Sequence, residues 1–205
     1  MLLKTPRFRE PAAGFVKPPL TVLGGSLLCC FSGLYKNMSD LLVSIRHAKP
    51  DDAAALSKVF DAAWREAYLG IIPGVALEKM FSRRSERWWR STVSRGRPLV
   101  VLDIGQGAVG YASYGRCRDR SLPARGEIDE LYLLPEYQGL GFGRRLFKAV
   151  RNDLRHREME RVVVWALEDN ERACAFYEGM GGQKVSRVEE RIGGTPLAKV
   201  AYLFR

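Results

Sequence analysis

Apolar residues follow two alternating periods from residue 41 to the end of the chain. LLVSI (41–45) has the composition of a strand, and Pro50 then opens a helix. The apolar residues of that helix recur at 3.6-residue spacing and share one face: Ala55, Leu56, Val59, Phe60 and Ala63. The chain therefore begins its regular structure with a strand followed by an amphipathic helix.

Two further helical stretches precede the next strand. One starts at about Val75, and the other holds Arg87, Trp88, Trp89 and Val93. Because Trp88 and Trp89 are adjacent, their side chains point in different directions on a helix. We expect at most one of the two tryptophans to be fully buried.

The remaining strands are predicted by short apolar runs bounded by glycine and proline. PLVVLDI (98–104) and AVGYASYGR (108–116) are separated by Gly-Gln-Gly, which predicts an antiparallel hairpin. EIDELYLL (127–134) and VVVWAL (162–167) predict two more strands, and the C-terminal residues supply a last pair around Ile192, Gly193 and Gly194. About seven strands are expected in all.

Two helices separate these last strands. GRRLFKAVRNDLRHR (143–157) places Leu146, Phe147, Val150 and Leu154 on one face with charge opposite, and ERACAFYEGMG (171–181) predicts a second helix. The whole pattern predicts a single α/β domain over residues 41–205. Its sheet is mixed and mostly antiparallel, flanked by about four to five helices.

Composition and charge are those of a globular protein with an anionic partner. The 205 residues are 46% hydrophobic and 27% charged, with a net charge of +10 and a pI near 9.7. This charge favours a nucleic acid, an anionic membrane surface or a phosphorylated cofactor. Because no run of about five or six consecutive Lys or Arg residues occurs, we expect no nucleic-acid partner.

The first 40 residues form an N-terminal extension outside the predicted domain. Residues 18–35 are uncharged between Lys17 and Lys36, but two prolines and three glycines interrupt them, so they are marginal as a membrane span. We favour a disordered or wrongly assigned leader over a membrane or export signal and over a docking segment. Met38 is a natural start for the domain, which we expect to be cytoplasmic and without a membrane partner.

Cysteine and histidine are too sparse for metal or triad chemistry. The four cysteines, at positions 29, 30, 117 and 174, include no C-x-x-C pair, and His47 and His156 are the only histidines. We therefore expect no metal, no disulfide framework and no Ser/His/Asp or Cys/His triad. Cys174 lies on a predicted helix, where a small buried packing residue is the favoured interpretation.

EYQGLGFGRR (136–145) is the most unusual short stretch in the chain. Its glycines at 139, 141 and 143 fit neither G-x-x-x-x-G-K-[ST] nor G-x-G-x-x-G, so a P-loop or a dinucleotide site is disfavoured. A strand that ends near Pro135, a glycine loop and a helix from about Gly141 would still aim unpaired N–H groups at one anion. The alternative is an ordinary turn that uses glycine for positive φ.

Two motifs in the same order resemble those of the GNAT acetyltransferase superfamily. QGLGFG (138–143) resembles the family's Q/R-x-x-G-x-G/A motif, and DNERACAFYEGMGG (169–182) resembles its N-x-x-A-x-x-F-Y-E-x-x-G segment. The strand before the first motif is also similar to the family's central strand. One departure is Gly182, where the family often has an aromatic residue, and it concerns local packing. The resemblance covers about residues 41–205 and implies a GNAT-like fold.

The resemblance also implies acetyl-CoA as a co-substrate. Backbone amides of the glycine loop would hold the pyrophosphate, which assigns the following residues to cofactor binding: Gln138, Gly139, Leu140, Gly141, Phe142, Gly143 and Arg144. The pantetheine arm would pair with the strand around Leu131 and Leu133, and strand addition needs only backbone groups there. Asn170 matches a pantetheine contact, although it also fits a helix N-cap.

The reaction implied is direct attack of an amine on the thioester. An alkyl amine has a pKa near ~10, so a base must take its proton at neutral pH. Glu127 matches the family's strand glutamate and is the first candidate base, with Glu130 as the second. The N–H near Leu131 would bind the oxyanion, and Tyr177 would protonate the departing thiolate. The alternatives are a solvated or acceptor-binding carboxylate and a buried structural tyrosine.

These expectations combine into one functional hypothesis. The chain is expected to be an N-acetyltransferase that uses acetyl-CoA and a primary amine acceptor, with a homodimer as a possible assembly. The acceptor is not identified by the sequence, and Trp64 and Tyr68 either shape its cleft or belong to the core. The alternative is a non-catalytic acyl-CoA-binding module or a basic nucleic-acid-binding module on the same fold.

Overall fold

Strands and helices alternate in the order that the sequence predicts. The computed structural model describes residues 43–205, so the N-terminal extension, Leu41 and Leu42 lie outside the described residues. The strands are β1 (Ser44–His47), β2 (Leu99–Asp103), β3 (Ala108–Arg116), β4 (Gly126–Leu133), β5 (Val162–Leu167), β6 (Gln183–Ile192) and β7 (Thr195–Phe204). The helices are α1 (Ala53–Tyr68), α2 (Gly74–Arg83), α3 (Glu86–Ser94), α4 (Phe142–His156) and α5 (Glu171–Gly179).

The seven strands form one sheet in the order β1-β2-β3-β4-β5-β7-β6. Every neighbouring pair is antiparallel except β4 and β5, which are parallel because α4 crosses over between them. The mixed, mostly antiparallel sheet and its five helices are confirmed. The first strand is displaced from the prediction, since β1 begins at Ser44 and extends to His47.

Two aromatic clusters fill the core. Trp89 of α3 packs between Phe60 and Tyr111, with ring centroids at 6.1 and 5.0 Å. Phe147 of α4 meets Phe204 of β7 at 4.7 Å. Trp89 is fully buried and Trp88 is only partly buried, as expected for adjacent helical residues. Cys174 is also buried, in agreement with its predicted packing role.

A bulge separates β4 from β5 halfway along β4. The two strands pair only over Gly126–Ile128 and Val162–Val164. On the other side of β4, the pairing with β3 passes from Ile128 to Glu130 and skips Asp129. A bulge bends its strand, so β4 leaves β5 at this point and a cleft opens between them. Arg97 and Arg118 hold the Asp129 carboxylate at 3.1 and 2.6 Å.

Within residues 43–205, no helix combines the length and the apolar composition needed to cross a membrane.

Candidate active site

A cavity of about 610 Å³ lies beside the free end of β4, beyond the point where β4 stops pairing with β5. Its walls are the free end of β4, the loop of residues 138–144, one face of α1 and the first two turns of α5. This volume is in the range of small-molecule sites. The cleft is therefore the candidate ligand site of the described residues.

The glycine loop has the backbone geometry of an anion cradle. Gly139 and Gly141 adopt φ of 75° and 83°, which other residues rarely adopt, and nothing lies within 4 Å of a Cβ built on either. The first hydrogen bond of α4 is from Arg145 N–H to the Gly141 carbonyl. The N–H groups of Phe142, Gly143 and Arg144 precede it and have no acceptor within the helix.

Most of the cofactor-binding residues predicted from the sequence line this one cavity. They are Leu131, Leu133, Gln138, Gly139, Gly141, Gly143, Arg144 and Asn170. Leu140 and Phe142 do not line it: Leu140 is 64% exposed to solvent, and the Phe142 ring lies 6.4 Å from that of Tyr137. Only the backbone of these two residues can serve the cradle.

Gln138 connects the loop to the free end of β4. Its side-chain Nε2 donates to the Leu133 carbonyl at 3.1 Å and to the Glu66 carboxylate at 2.8 Å. The Leu133 carbonyl faces a strand edge that β5 has left, so the amide satisfies a group that would otherwise lack a strand partner. A strand-like ligand at this edge would compete with Gln138 for that carbonyl.

Tyr177 lines the same cavity from α5. The residue is 7% exposed, and no residue in the range 43–205 hydrogen-bonds its hydroxyl. Burial raises the pKa of Tyr177 above its usual value, so the phenol stays protonated and is available as a donor. It is a weaker acid than a free tyrosine, but burial also raises the pKa of any thiol beside it.

Asn170 is the N-cap of α5. Its Oδ1 accepts the Ala173 N–H at 3.0 Å, which satisfies one of the free donors of the first turn. The side chain also lines the cavity. The capping role is thus observed, and the cap stands where it can meet a ligand.

Glu127 lies away from this cavity. It is 5% exposed, in the half of β4 that pairs with β5, and its carboxylate accepts the backbone N–H, Nε and Nη2 of Arg118 at 3.1, 3.2 and 2.6 Å. The structure does not bring Glu127 and Tyr177 into one site. Because Glu127 does not line the cavity that holds Tyr177, this geometry does not support the predicted base role.

Glu130 belongs to a polar cluster behind the cavity wall. Its carboxylate contacts the Arg84 guanidinium and accepts the Tyr111 hydroxyl at 3.1 Å. Two residues later on β4, the Tyr132 hydroxyl lies 3.0 Å from that of Tyr68, and Tyr132 lines the cavity. Burial raises the pKa of Tyr132, and the neighbouring Tyr68 and then the charge of Glu130 add to that rise.

Glu66 and Arg172 are site residues that the sequence did not reveal. Both line the cavity, and the Glu66 carboxylate accepts Arg172 Nη1 at 2.8 Å. They are 106 positions apart, on α1 and α5. Each follows another charged residue in the sequence, as is typical of a solvated helix face. No local signal distinguishes them from ordinary surface charges.

The departure at Gly182 has a packing cause. A Cβ at this position would lie 2.7 Å from the Phe204 ring and 2.9 Å from the Tyr177 carbonyl oxygen. Phe204 fills the space that a larger residue would need, and it also packs against Tyr177 at 6.4 Å. Glycine at position 182 in place of an aromatic residue therefore leaves the aromatic packing around Tyr177 intact.

Across residues 43–205, no three His, Cys, Asp or Glu side chains form a group that could hold a metal ion.

Comparison with known proteins gives one consistent family. The sequence profile of the acetyltransferase (GNAT) family matches residues 57–181. The uncharacterized N-acetyltransferase YuaI of Bacillus subtilis (strain 168) is 30% identical over 159 residues, which are 78% of this chain and 91% of YuaI.

Solved structures share the fold. The PaiA N-acetyltransferase from Thermoplasma acidophilum, in complex with coenzyme A, superimposes with a TM-score of 0.60 at 16% identity, over 77% of this chain and 97% of PaiA. YncA from Salmonella typhimurium, with acetyl-CoA, gives 0.59 at 20% identity, over 80% of this chain and 94% of YncA.

Proposed function

The chain belongs to the acetyltransferase (GNAT) family, and we propose that it transfers the acetyl group of acetyl-CoA to a primary amine by direct attack in a ternary complex. One observation carries the proposal. A single cavity holds the free edge of β4, the N–H groups of the glycine loop and the Tyr177 phenol. The strand edge would pair with the amide-bearing arm of the co-substrate, the N–H groups would hold its diphosphate, and the phenol would donate a proton.

The loop and the strand edge would hold the co-substrate. We assign the diphosphate to the backbone N–H groups of residues 138–144, where the positive end of the α4 dipole adds to their attraction. The pantetheine arm would add to β4 as a further strand beside Leu131 and Leu133. Asn170 stands across the cleft from them. Gln138 would release the Leu133 carbonyl when the arm binds.

Tyr177 is proposed as the acid of the reaction. Attack of the amine on the thioester carbonyl forms a tetrahedral intermediate, whose oxyanion would accept the backbone N–H near Leu131. Collapse of that intermediate releases the thiolate of CoA, which needs a proton. The Tyr177 hydroxyl has no competing partner in the described chain and would supply that proton.

For the proton of the amine we favour Glu130 over Glu127. Glu130 shares a face of β4 with Tyr132, and its hydrogen-bond donor Tyr111 has its ring 5.9 Å from that of Tyr132. The hydroxyl pair of Tyr132 and Tyr68 would relay that proton to water at the cavity mouth, each hydroxyl passing on its own proton as it takes one, and the Glu130 carboxylate would stabilise the positive charge during the transfer. Glu127 would instead anchor Arg118, and its base role stays a sequence prediction that substitution can test.

The acceptor is proposed only as a class. The cavity lining includes Ala63, Ala67 and Ile71, which are small or apolar, and the net charge of +10 disfavours a polycation at the encounter. An acceptor with one free amine and little other positive charge fits both facts. A cytoplasmic location and residues 41–205 as the catalytic unit also remain proposals.

Amine-dependent release of free thiol tests the proposed function. The purified chain is mixed with acetyl-CoA and a panel of amino acids, amino sugars, diamines and peptides with a free α-amine. The proposal expects thiol release above background with at least one member and stabilisation of the fold by acetyl-CoA. Stabilisation with no turnover across the panel would favour a non-catalytic acyl-CoA-binding module. Salt-sensitive RNA or DNA binding with no acetyl-CoA effect would favour the nucleic-acid alternative.

A further inference from the structure

A carboxylate bridges the mouth of the cavity in this structure. Glu66 Oε1 accepts Arg172 Nη1 at 2.8 Å, and Glu66 Oε2 accepts Gln138 Nε2 at 2.8 Å. The three residues come from α1, α5 and the glycine loop, and all of them line the cavity. One anionic group thus joins three elements at the entrance to the phosphate cradle.

Arg172 is well suited to exchange its partner. A guanidinium binds carboxylates and phosphates with the same donor geometry, and it binds phosphates through two parallel N–H donors. The Arg172 and Glu66 side chains are 62% and 39% exposed, so their ion pair is screened by solvent and contributes little to stability. A ligand that offers more negative charge than one carboxylate can therefore replace Glu66.

The position of Arg172 selects the ligand. The same carboxylate holds both Arg172 and Gln138, and Gln138 belongs to the loop whose N–H groups form the cradle. An anion that enters the cradle therefore lies within the region that this guanidinium already reaches. Arg144, six positions after Gln138 in the same loop, also lines the cavity, so a second arginine is available to a diphosphate.

We propose that Arg172 is a binding residue for the diphosphate of the acyl-CoA. Glu66 holds the Arg172 guanidinium at the cavity mouth until the diphosphate replaces the Glu66 carboxylate as its partner. The inference rests on the proposed function in one respect, namely that acyl-CoA occupies this cavity. It adds a ligand-binding residue on α5 and a competing carboxylate on α1, neither of which the sequence predicted.

The first test measures the dissociation constant of acetyl-CoA by titration calorimetry, which needs no acceptor and no turnover. Arg172→Gln should weaken binding about tenfold, as expected for one lost charged contact, and Arg172→Lys should recover part of the loss. Arg187→Gln is the matched control, because Arg187 forms a similarly exposed pair with Glu168 at 2.9 Å outside the cavity lining. Its affinity should equal that of the unmodified chain.

A double-mutant cycle tests the competition. Glu66→Gln removes the competing charge and should tighten acetyl-CoA binding about fivefold when Arg172 is present. In an Arg172→Gln background, the same change should have almost no effect. If Glu66→Gln tightened binding equally in both backgrounds, general electrostatic repulsion would explain it, and the proposed exchange would be overturned.

A comparison of CoA with dephospho-CoA separates the contribution of the diphosphate from that of the 3′-phosphate. Dephospho-CoA keeps the diphosphate and lacks the 3′-phosphate, so Arg172→Gln should weaken its binding by the same factor as that of CoA. Loss of the effect with dephospho-CoA would overturn the diphosphate assignment, and so would unchanged acetyl-CoA affinity in Arg172→Gln. If the unmodified chain bound no acetyl-CoA at all, the proposed function itself would fail, which is a different result.

Discussion

The two halves of β4 share one strand but have different neighbours. Gly126–Ile128 is paired on both sides, with β3 and with β5, and its one acidic side chain, Glu127, is held by Arg118. Residues 130–133 keep only β3 as a strand neighbour, and their other edge opens to the cavity. The bulge at Asp129 separates the halves.

This difference underlies the roles that we propose for the two halves, stability for the paired half and ligand binding for the open half. A strand paired on both sides has no backbone groups left for a ligand, whereas an unpaired edge offers N–H and C=O groups in fixed positions. A sheet that binds a strand-like ligand must therefore interrupt its own pairing. Here a single bulged residue, tied by two arginines, makes that interruption.

The largest expected effect is on turnover, and it comes from Tyr177 of α5, which lines the cavity together with the open half of β4. Tyr177→Phe removes only the hydroxyl from the cavity, so turnover should fall by about 10² or more if Tyr177 protonates the thiolate. The dissociation constant of acetyl-CoA should change less than about twofold, because the ring and its packing remain. Steady-state kinetics and calorimetry measure the two, and near-normal turnover would remove Tyr177 from the mechanism.

Gly141 offers a matched test of the cradle. Gly141→Val and Gly96→Val both force a side chain onto a backbone of positive φ, 83° and 72°, and neither Cβ meets another atom within 4 Å. Each should cost about 1–2 kcal/mol of stability. Only Gly141→Val should also weaken acetyl-CoA binding, by about tenfold, because only Gly141 lies in the cradle. Equal affinities in the two variants would argue against a cradle at this loop.

Glutamine substitutions compare the two halves of β4 directly. Glu127→Gln should lower the free energy of unfolding by about 1–3 kcal/mol, because it removes one of the two carboxylates that pair with Arg118, and should leave turnover within about threefold. Glu130→Gln should lower turnover by about tenfold or more and change its pH dependence. Denaturant unfolding and pH–rate profiles measure these effects. The opposite pattern would restore Glu127 as the base.

The smallest effect concerns the bulge between the halves. Burial raises the pKa of Asp129, and Arg118 and Arg97 oppose that rise. Because the folded-state pKa of Asp129 lies above its unfolded value, the contribution of Asp129 to the stability of the fold is lost as the pH rises through the folded-state pKa. Arg97→Gln removes one opposing charge, so its destabilisation should be near zero at about pH 4 and approach 1 kcal/mol at about pH 7. Urea unfolding at both pH values measures the difference, and a pH-independent cost would contradict the assignment.

Local patterns predicted the elements and most of the cradle. The 3.6-residue spacing of Leu56, Phe60 and Ala63 and the apolar run of β5 depend on neighbours in sequence, and both were confirmed. The positive φ of Gly139 and Gly141 follows from glycine itself. By contrast, the isolation of Glu127 depends on where the bulge falls and on an arginine nine positions away across a turn. Periodicity alone does not encode either.

Long-range contacts explain why the sequence did not reveal several residues around the cavity. Glu66 meets Arg172 only after the sheet has brought α1 beside α5, and the Tyr68 and Tyr132 hydroxyls are 64 positions apart. Each of these residues has an ordinary local explanation as surface charge or aromatic core. They become candidate site residues only through tertiary packing, which local sequence patterns do not reveal.

Amide hydrogen exchange with residue resolution tests the central claim most directly. With saturating acetyl-CoA, exchange should slow by about tenfold or more within residues 130–133 and 138–144, because a ligand replaces water at those N–H groups. Exchange at Gly126–Ile128 should not change, since its N–H groups already have strand partners. Protection confined to the open half is the predicted result. Equal protection of both halves, or none at the cleft despite bound acetyl-CoA, would contradict this account.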